Sequence, residues 1–207
     1  MKSKYLLLAI GIFYSSTSFA QENVSVEDNL QQLKLSAIVP SLEYSLEKKI
    51  SDKSVFEFKG GIGLGLEFSS SYIAVNDNKD YFNKYSAYSL YPIVQFGYKN
   101  YYNLNKRFSK GKIISNNSGN FFGVSLIAIP GSYVFEKYSD QFYTNGIAIK
   151  NKYYDKSFVL QLTPKWGINR NLNDKFSYNL DLGPTLGTDF DDVAYGLYLQ
   201  TGFSYKF

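Results

Sequence analysis

The 207-residue chain contains no cysteine and no histidine. Without cysteine there is no disulfide framework, no thiol nucleophile and no lipid-bearing cysteine behind a leader. Without histidine, the side chain that most often serves as a general base near neutral pH is missing, and the nucleophilic arrangements built on it are closed. A Ser–Lys pair or two carboxylates remain chemically open. No Gly-x-Ser-x-Gly and no second motif marks either one, so an enzyme is not expected. Charge of one sign is also in short supply: 22 basic against 18 acidic side chains leave a formal charge of +4, which argues against nucleic acid as a partner. Past the N-terminus no run approaches the roughly 18 apolar residues of a membrane-spanning helix. No linker, repeat or second domain stands out, and the length suits one domain.

The N-terminus has a different character. Lys2 and Lys4 precede the apolar run Tyr5-Leu-Leu-Leu-Ala-Ile-Gly-Ile-Phe-Tyr14, and Ser18-Phe19-Ala20 offers a small-x-small cleavage site before Gln21. This pattern reads as a cleaved secretory signal peptide over residues 1–20, too short in its apolar part to span a bilayer. Its loss removes two lysines and no acids, and the formal charge falls to +2. Residues 21–30 then form a short N-terminal segment, and residues 31–207 the folded domain.

What fills that domain is strict alternation. In the C-terminal stretch 193–207 the odd positions read Val193, Tyr195, Leu197, Leu199, Thr201, Phe203, Tyr205 and Phe207. The even positions are mostly small or polar: Ala194, Gly196, Tyr198, Gln200, Gly202, Ser204 and Lys206. A strand sends successive side chains to opposite faces, so the segment has one oily face. Residues 54–74 (Phe56, Phe58, Ile62, Leu64, Leu66, Phe68 against Glu57, Lys59, Glu67), 156–170 (Phe158, Leu160, Leu162, Trp166 against Gln161, Thr163, Lys165) and 175–187 (Phe176, Tyr178, Leu180, Leu182 against Ser177, Asn179, Asp181) repeat the pattern. Residues 85–102 do so more loosely. Residues 120–135 blur it, because Phe121, Ile127 and Ile129 fall on the polar parity. The 20 tyrosines and 17 phenylalanines suit rings seated at two membrane–water interfaces. A mean hydropathy of −0.24 suits strands with only one apolar face.

At the start, residues 31–39 and 41–48 are short alternating runs separated by Pro40, which stops pairing and favours a turn. One strand here gives seven in all; two give eight. A barrel of hairpins with both termini on one side needs an even number. The expected fold is therefore all-β, a closed antiparallel up-and-down transmembrane barrel of eight strands. Residues 47–53 and 170–174 are read as short turns at one end. Residues 75–84, 136–155 and 188–192 are read as the connections at the other. Residues 103–119 are a long connection on the short-turn side. They carry Lys106, Arg107, Lys110 and Lys112 and are a candidate for a short helix across the barrel mouth. Pro92, Pro130, Pro164 and Pro184 all fall inside expected strands, where proline cannot donate to the ladder.

An eight-stranded barrel is just wide enough for its interior side chains to fill it. Inward parity gathers Lys34, Glu43, Glu57, Lys59, Glu67, Lys99, Lys165, Asp181 and Lys206 there. Their near balance favours pairing, because an unpaired buried charge costs several kcal/mol. Two acidic clusters are weaker candidates. Residues 76–80 alternate oxygen ligands but lack the glycine and the distal glutamate of a calcium loop, with Tyr81 and Ala87 in those places. Asp189, Asp191 and Asp192 read as a solvated loop. No metal or cofactor is expected.

The C-terminal strand with its free terminal Phe207, the leader, Leu42-Glu43-Tyr44-Ser45-Leu46 before a polar turn and Val55-Phe56-Glu57-Phe58, and the stretch ending Tyr101-Tyr102-Asn103-Leu104-Asn105-Lys106-Arg107 resemble small outer-membrane β-barrel proteins of Bacteroidetes-type bacteria. In architecture these are similar to OmpA/OmpX-type barrels, without the peptidoglycan-binding domain of full-length OmpA proteins. The resemblance implies a Gram-negative outer-membrane location. It also implies recognition of Phe203, Tyr205 and Phe207 by the β-barrel assembly machinery, and a periplasmic placement for residues 21–30 and for the basic loop. The function expected is that of a non-enzymatic, monomeric membrane protein. Its lumen is filled and charge-paired, outer-membrane lipids are its surroundings, and its surface loops meet lipids, surfaces or partners. A narrow porin-like channel and a soluble periplasmic carrier of lipocalin type are the alternatives.

Overall fold

The computed structural model describes residues 24–75, 79–140 and 147–207. The leader expected over residues 1–20 and the side chains of the acidic loop at 76–80 lie outside the described residues. Among the described residues ten strands and one helix follow in chain order: β1 (Asn29–Ser36), β2 (Ser41–Ser51), β3 (Ser54–Val75), β4 (Lys79–Tyr101), α1 (Leu104–Phe108), β5 (Asn120–Ile129), β6 (Ser132–Asp140), β7 (Ile149–Asp155), β8 (Val159–Asn171), β9 (Phe176–Thr188) and β10 (Val193–Lys206).

Eight of these strands make a ring. Pairing runs β1–β2–β3–β4–β5–β8–β9–β10 and returns to β1 through Gln32 to Ser36 against Gly202 to Lys206, antiparallel at every step. The two short runs around Pro40 are thus separate strands, β1 and β2. The end of the ring that carries α1, the start of β1 and Phe207 is called the lower end below.

β6 and β7 lie above the ring. β4 pairs with β5 over Val94 to Tyr101 and with β6 over Asn83 to Leu90, and β6 pairs with β7. With the upper halves of β3 and β4 they form a projecting four-stranded sheet, ordered β3-β4-β6-β7. This corrects three expectations. Residues 75–84 and 136–155 are largely strand rather than connection. Both faces of β7, and of β6 as far as Ser139, are at least partly open to solvent, so no oily parity reveals them. Residues 120–135 are two strands, not one. The break falls at Pro130-Gly131, where Gly131 takes φ 129, a conformation that side chains strongly disfavour.

The prolines sit where the ladder makes least use of them. Pro92 lies between the stretch of β4 that pairs with β5 and the stretch that pairs with β6. Pro130 ends β5. Pro164 and Pro184 stand opposite one another, between the pairs Leu162↔Leu186 and Trp166↔Leu182, and the β8–β9 pairing is interrupted there. Inside the ring the gap is bridged by a hydrogen bond of 2.8 Å between the Thr163 and Thr185 hydroxyls. β1 and β2 are short, so above Gly202 and Gly63 the facing edges of β10 and β3 have no strand partner among the described residues.

Burial alternates along the ring with polar groups inside. In β1 the buried residues are Leu30, Gln32, Lys34 and Ser36, and in β2 they are Ser41, Glu43, Ser45 and Glu47. Leu33, Leu35, Leu42, Phe56, Phe58, Ile62, Phe96, Leu126, Leu162, Leu182 and Phe203 are exposed on the outside. The only apolar cluster of buried side chains among the described residues closes the lower end. There Leu104 of α1 packs with Tyr101, Phe121, Val55 and the N-terminal Val24 and Val26.

Close approach of strands makes some glycines indispensable. A Cβ on Gly183 would overlap the Pro164 carbonyl oxygen and the Lys165 Cα, which are backbone atoms and cannot turn away, whereas a Cβ on Gly60 meets nothing within 4 Å. Gly183→Ala is expected to destabilise the ring by about 1–3 kcal/mol through overpacking and Gly60→Ala to change little. Urea unfolding of the two variants in one detergent measures the difference.

Candidate functional site: the charged interior of the ring

Inward parity on β1, β2, β3, β4, β8 and β9 gathers four lysines and four carboxylates into one cluster inside the ring. Glu57 of β3, fully buried, stands at the centre. Its Oε1 accepts hydrogen bonds from Lys34 Nζ and Lys99 Nζ, both at 2.8 Å, and from Ser45 Oγ at 3.3 Å. Its Oε2 accepts from Gln95 Nε2 at 3.2 Å and lies 3.6 Å from Lys165 Nζ. Lys165 is paired to Asp181 at 2.8 Å.

Above this centre Lys59 Nζ reaches Glu43 at 3.1 Å and donates to Gln200 Oε1 at 3.0 Å. Glu43 Oε1 in turn accepts from Ser41 Oγ at 2.5 Å and Gln200 Nε2 at 2.7 Å. Below it Glu47 Oε1 takes Lys99 Nζ at 2.7 Å, while its Oε2 takes Asn117 Nδ2 at 2.8 Å and the Tyr101 hydroxyl at 3.1 Å. The ring of Phe121 lies under Lys99 Nζ at 4.8 Å, a favourable cation–π geometry.

The lower mouth is sealed by backbone and amide contacts. Asn116 and Asn117 take φ 53 and φ 54, a left-handed conformation that asparagine tolerates better than most residues. The turn they form is clamped by Glu27. Glu27 accepts the Asn116 N–H at 2.6 Å, gives its own N–H to Asn117 Oδ1 at 2.7 Å, and pairs with Lys206 at 2.7 Å. Asn169 Nδ2 donates to the Asn116 carbonyl at 2.6 Å.

Of the charges that parity points inward, Lys34, Glu43, Glu57, Lys59, Lys99, Lys165 and Asp181 meet in this cluster. Lys206 belongs to the lower mouth instead. Glu67 is exposed and is a correction: it pairs in register with Ala87, above the ring, where β3 faces β4 in the projecting sheet. Glu47 is the charge the sequence reading misplaced. It falls where the alternating run 41–48 meets the expected turn 47–53, but β2 continues to Ser51 and buries it. Its parity with Glu43 and Ser45 was the available signal. Gln95, Gln200, Tyr101 and Asn117 complete the cluster as neutral partners.

The C-terminal residues hold the β1 seam. The Phe207 N–H donates to the Gln31 carbonyl at 3.3 Å, and the rings of Tyr205 and Phe207 meet edge-on at 5.6 Å. Of the basic loop, Lys106, Lys110 and Lys112 are exposed. Arg107 is half-buried and donates to the Ile113 carbonyl and to Ser118 Oγ. At the upper end Asp189 accepts the N–H groups of Asp192 and Asp191. These backbone bonds, both to Oδ1, hold its carboxyl below its ordinary value and tie it into a tight turn.

No serine hydroxyl is hydrogen-bonded to a lysine amine among the described residues. Each lysine amine is fixed by at least one carboxylate, and the void bordered by Lys34, Lys59, Asp181 and Gln200 is about 20 Å³, room for about one water molecule.

No protein-family model matches the chain, and no curated protein matches it. Among solved structures, Ail, the attachment invasion locus protein of Yersinia pestis, in complex with the heparin analogue sucrose octasulfate, is similar over 86% of this chain and 94% of its own, at 12% identity and a TM-score of 0.30. So distant a likeness carries no function across.

Removing Glu57 leaves several buried amines short of one charge. Glu57→Gln is expected to cost about 3–5 kcal/mol, and Glu57→Gln with Lys34→Gln to recover part of it. Chemical unfolding of the two variants beside the parent measures both.

Proposed function

We propose that the chain is a non-enzymatic outer-membrane β-barrel protein with a filled, charge-paired lumen. The observation that carries this reading is the inverted sidedness of the ring. Lysines, glutamates, glutamines and serines are buried inside, while leucines, valines and phenylalanines are exposed outside. Water would penalise such an exterior, and a hydrocarbon solvent would reward it. A soluble lipocalin-type carrier requires the opposite arrangement.

The dimensions support it. From Phe176 to Leu186 of β9 the outward residues span about 34 Å at about 3.4 Å per residue. Tilted by about 40°, this gives about 26 Å, close to the roughly 25 Å apolar band of outer-membrane barrels. Aromatic pairs flank the band. Tyr178–Phe203, Tyr102–Phe122 and Phe176–Tyr205 lie toward the lower end, and Phe68–Tyr88, Phe158–Phe190 and Tyr133–Tyr154 toward the upper. No helix among the described residues is long and apolar enough to cross a membrane, which leaves any crossing to strands.

In this reading the protein is secreted through a cleaved leader over residues 1–20. It is inserted by the assembly machinery through Phe203, Tyr205 and Phe207, and sits as a monomer among outer-membrane lipids, with α1 and its basic loop on the periplasmic side. The outward-projecting sheet is then the interaction surface. Glu136 organises it by accepting from Asn151 Nδ2 at 2.9 Å and from the Tyr85 hydroxyl at 3.3 Å, and Tyr133, Tyr153 and Tyr154 are exposed upon it. The paired interior favours a closed lumen over a narrow channel.

Two measurements test this. Leu180→Arg, facing outward near the middle of the band, is expected to destabilise the protein in lipid by about 2–4 kcal/mol, and Tyr153→Arg on the projecting sheet by little. A neutral Leu180→Arg, or full solubility of the mature chain without detergent, would overturn the membrane reading. In planar bilayers the purified protein is expected to show no steady unitary steps; regular open steps would make it a channel.

A further inference from the structure

The β8–β9 seam is weakened on the outside at a level where lipid chains would run. Pro164 and Pro184 face each other and bring no N–H to the ladder, and pairing lapses between Leu162↔Leu186 and Trp166↔Leu182. Over this gap lies an outward groove of about 950 Å³. Tyr98, Phe122, Val124, Trp166 and Leu182 form its walls, with the two prolines along its length. A groove of this size takes a whole acyl chain, because ligand sites of about 300–1,000 Å³ hold drug-sized molecules.

Below its lower rim the surface changes from apolar to cationic. Trp166 Nε1 and Asn120 Nδ2 both donate to the Tyr102 hydroxyl oxygen, at 2.9 and 3.1 Å. The hydroxyl proton itself has no acceptor among the described residues. Arg170 donates through Nη2 to Asn120 Oδ1, so its guanidinium is tied back toward Trp166. Arg107 joins the same corner: its Nη2 donates to Ser118 Oγ at 3.3 Å, and that oxygen also accepts the N–H of Asn171, the residue after Arg170, at 3.1 Å. The Arg107 Nε is buried without a partner. Neither arginine has a carboxylate in ion-pair range among the described residues, whereas Lys34, Lys59, Lys99 and Lys165 of the interior all do.

From this juxtaposition we infer a site for a single anionic phospholipid: one acyl chain lies in the groove over the Pro164–Pro184 gap, and the phosphate sits on Arg170 and Arg107 with the Tyr102 hydroxyl as a further donor. The inference rests on the reading of the outer face as lipid-facing. It goes beyond that reading in assigning one headgroup charge and one place on the ring. Guanidinium groups suit phosphate oxygens, and an unpaired cationic corner joined to a chain-wide apolar cleft is complementary to an anion with a hydrocarbon tail. The arginine corner at the foot of the groove, which takes the headgroup, lies at the end of the ring nearest α1 and the termini. Phospholipid, rather than the lipopolysaccharide of the opposite leaflet, is therefore its occupant.

Trp166 is the only tryptophan of the chain, and it lines the groove. The full mature protein is reconstituted into phosphatidylcholine vesicles containing a minor fraction of acyl-brominated phosphatidylglycerol, and Trp166 fluorescence is followed. Quenching is expected to exceed the share set by mole fraction and to saturate, and brominated phosphatidylcholine at the same fraction to quench in proportion only. Arg170→Gln should lower the preference about fivefold, the factor one basic side chain contributes toward an anionic lipid. Val124→Phe with Leu182→Phe, which fills the groove from its walls, should abolish the excess while leaving bulk quenching intact. Strictly proportional quenching by both lipids overturns the site, and so does equal displacement of the excess by added lipopolysaccharide. Absence of quenching in vesicles made wholly of brominated lipid would instead overturn the membrane reading.

Discussion

A carboxylate inside a ring of strands has nowhere to find water, and Glu57 resolves this by drawing in the amines of Lys34, Lys99 and Lys165. Each of those amines then needs a second anion, which Glu47 and Asp181 supply, with Glu43 and Lys59 paired above. The interior is thus a set of mutual obligations. No member can be neutralised alone without leaving a desolvated charge, a far larger penalty than any hydrophobic contact here could offset. Strand register follows, because Lys34↔Glu43 in β1–β2 and Glu57↔Gly97 in β3–β4 are the alignments that bring these side chains within reach of one another. A slip of one residue would turn them all outward.

The same alternation that turns the cluster inward turns an apolar band outward. The two faces are one fact viewed from opposite sides of the sheet. The ends obey different rules. At the lower mouth α1, Val24 and Val26 supply a small apolar lid, and Glu27 clamps the Asn116-Asn117 turn. At the upper end the sheet outruns any membrane band and continues as a free four-stranded surface. Function, in this reading, is divided along the same axis: a filled lumen that holds shape, and projecting strands that meet the surroundings.

The facing prolines show how a local weakness is contained. The β8–β9 seam loses ladder bonds at Pro164 and Pro184, yet Thr163 and Thr185 bridge it from within and Lys165 is held by Asp181 just beneath. The defect therefore opens only outward, where it becomes a groove instead of a leak. Taken one at a time, the prolines look like errors within strands. Taken as a facing pair, they become a feature of one seam.

Side-chain parity is a property of nearest neighbours in the chain, so the sequence by itself determined it: which residues of β3, β8, β9 and β10 share a face, that the β1–β2 break falls at Pro40, and that Lys34, Glu43, Glu57, Lys59, Lys99, Lys165 and Asp181 point one way. It is silent where both faces meet the same solvent, and so β6 and β7 are not legible as strands. Glu47 was lost to a turn and Glu67 was placed inside, because parity gives a direction but not a height. Only the tertiary structure decided that Glu57 is the centre, that Pro164 faces Pro184, and that Arg170 and Arg107 share a corner. These are matters of register and ring closure between strands far apart in the chain, and the energy that selects them is gained only once the ring has closed.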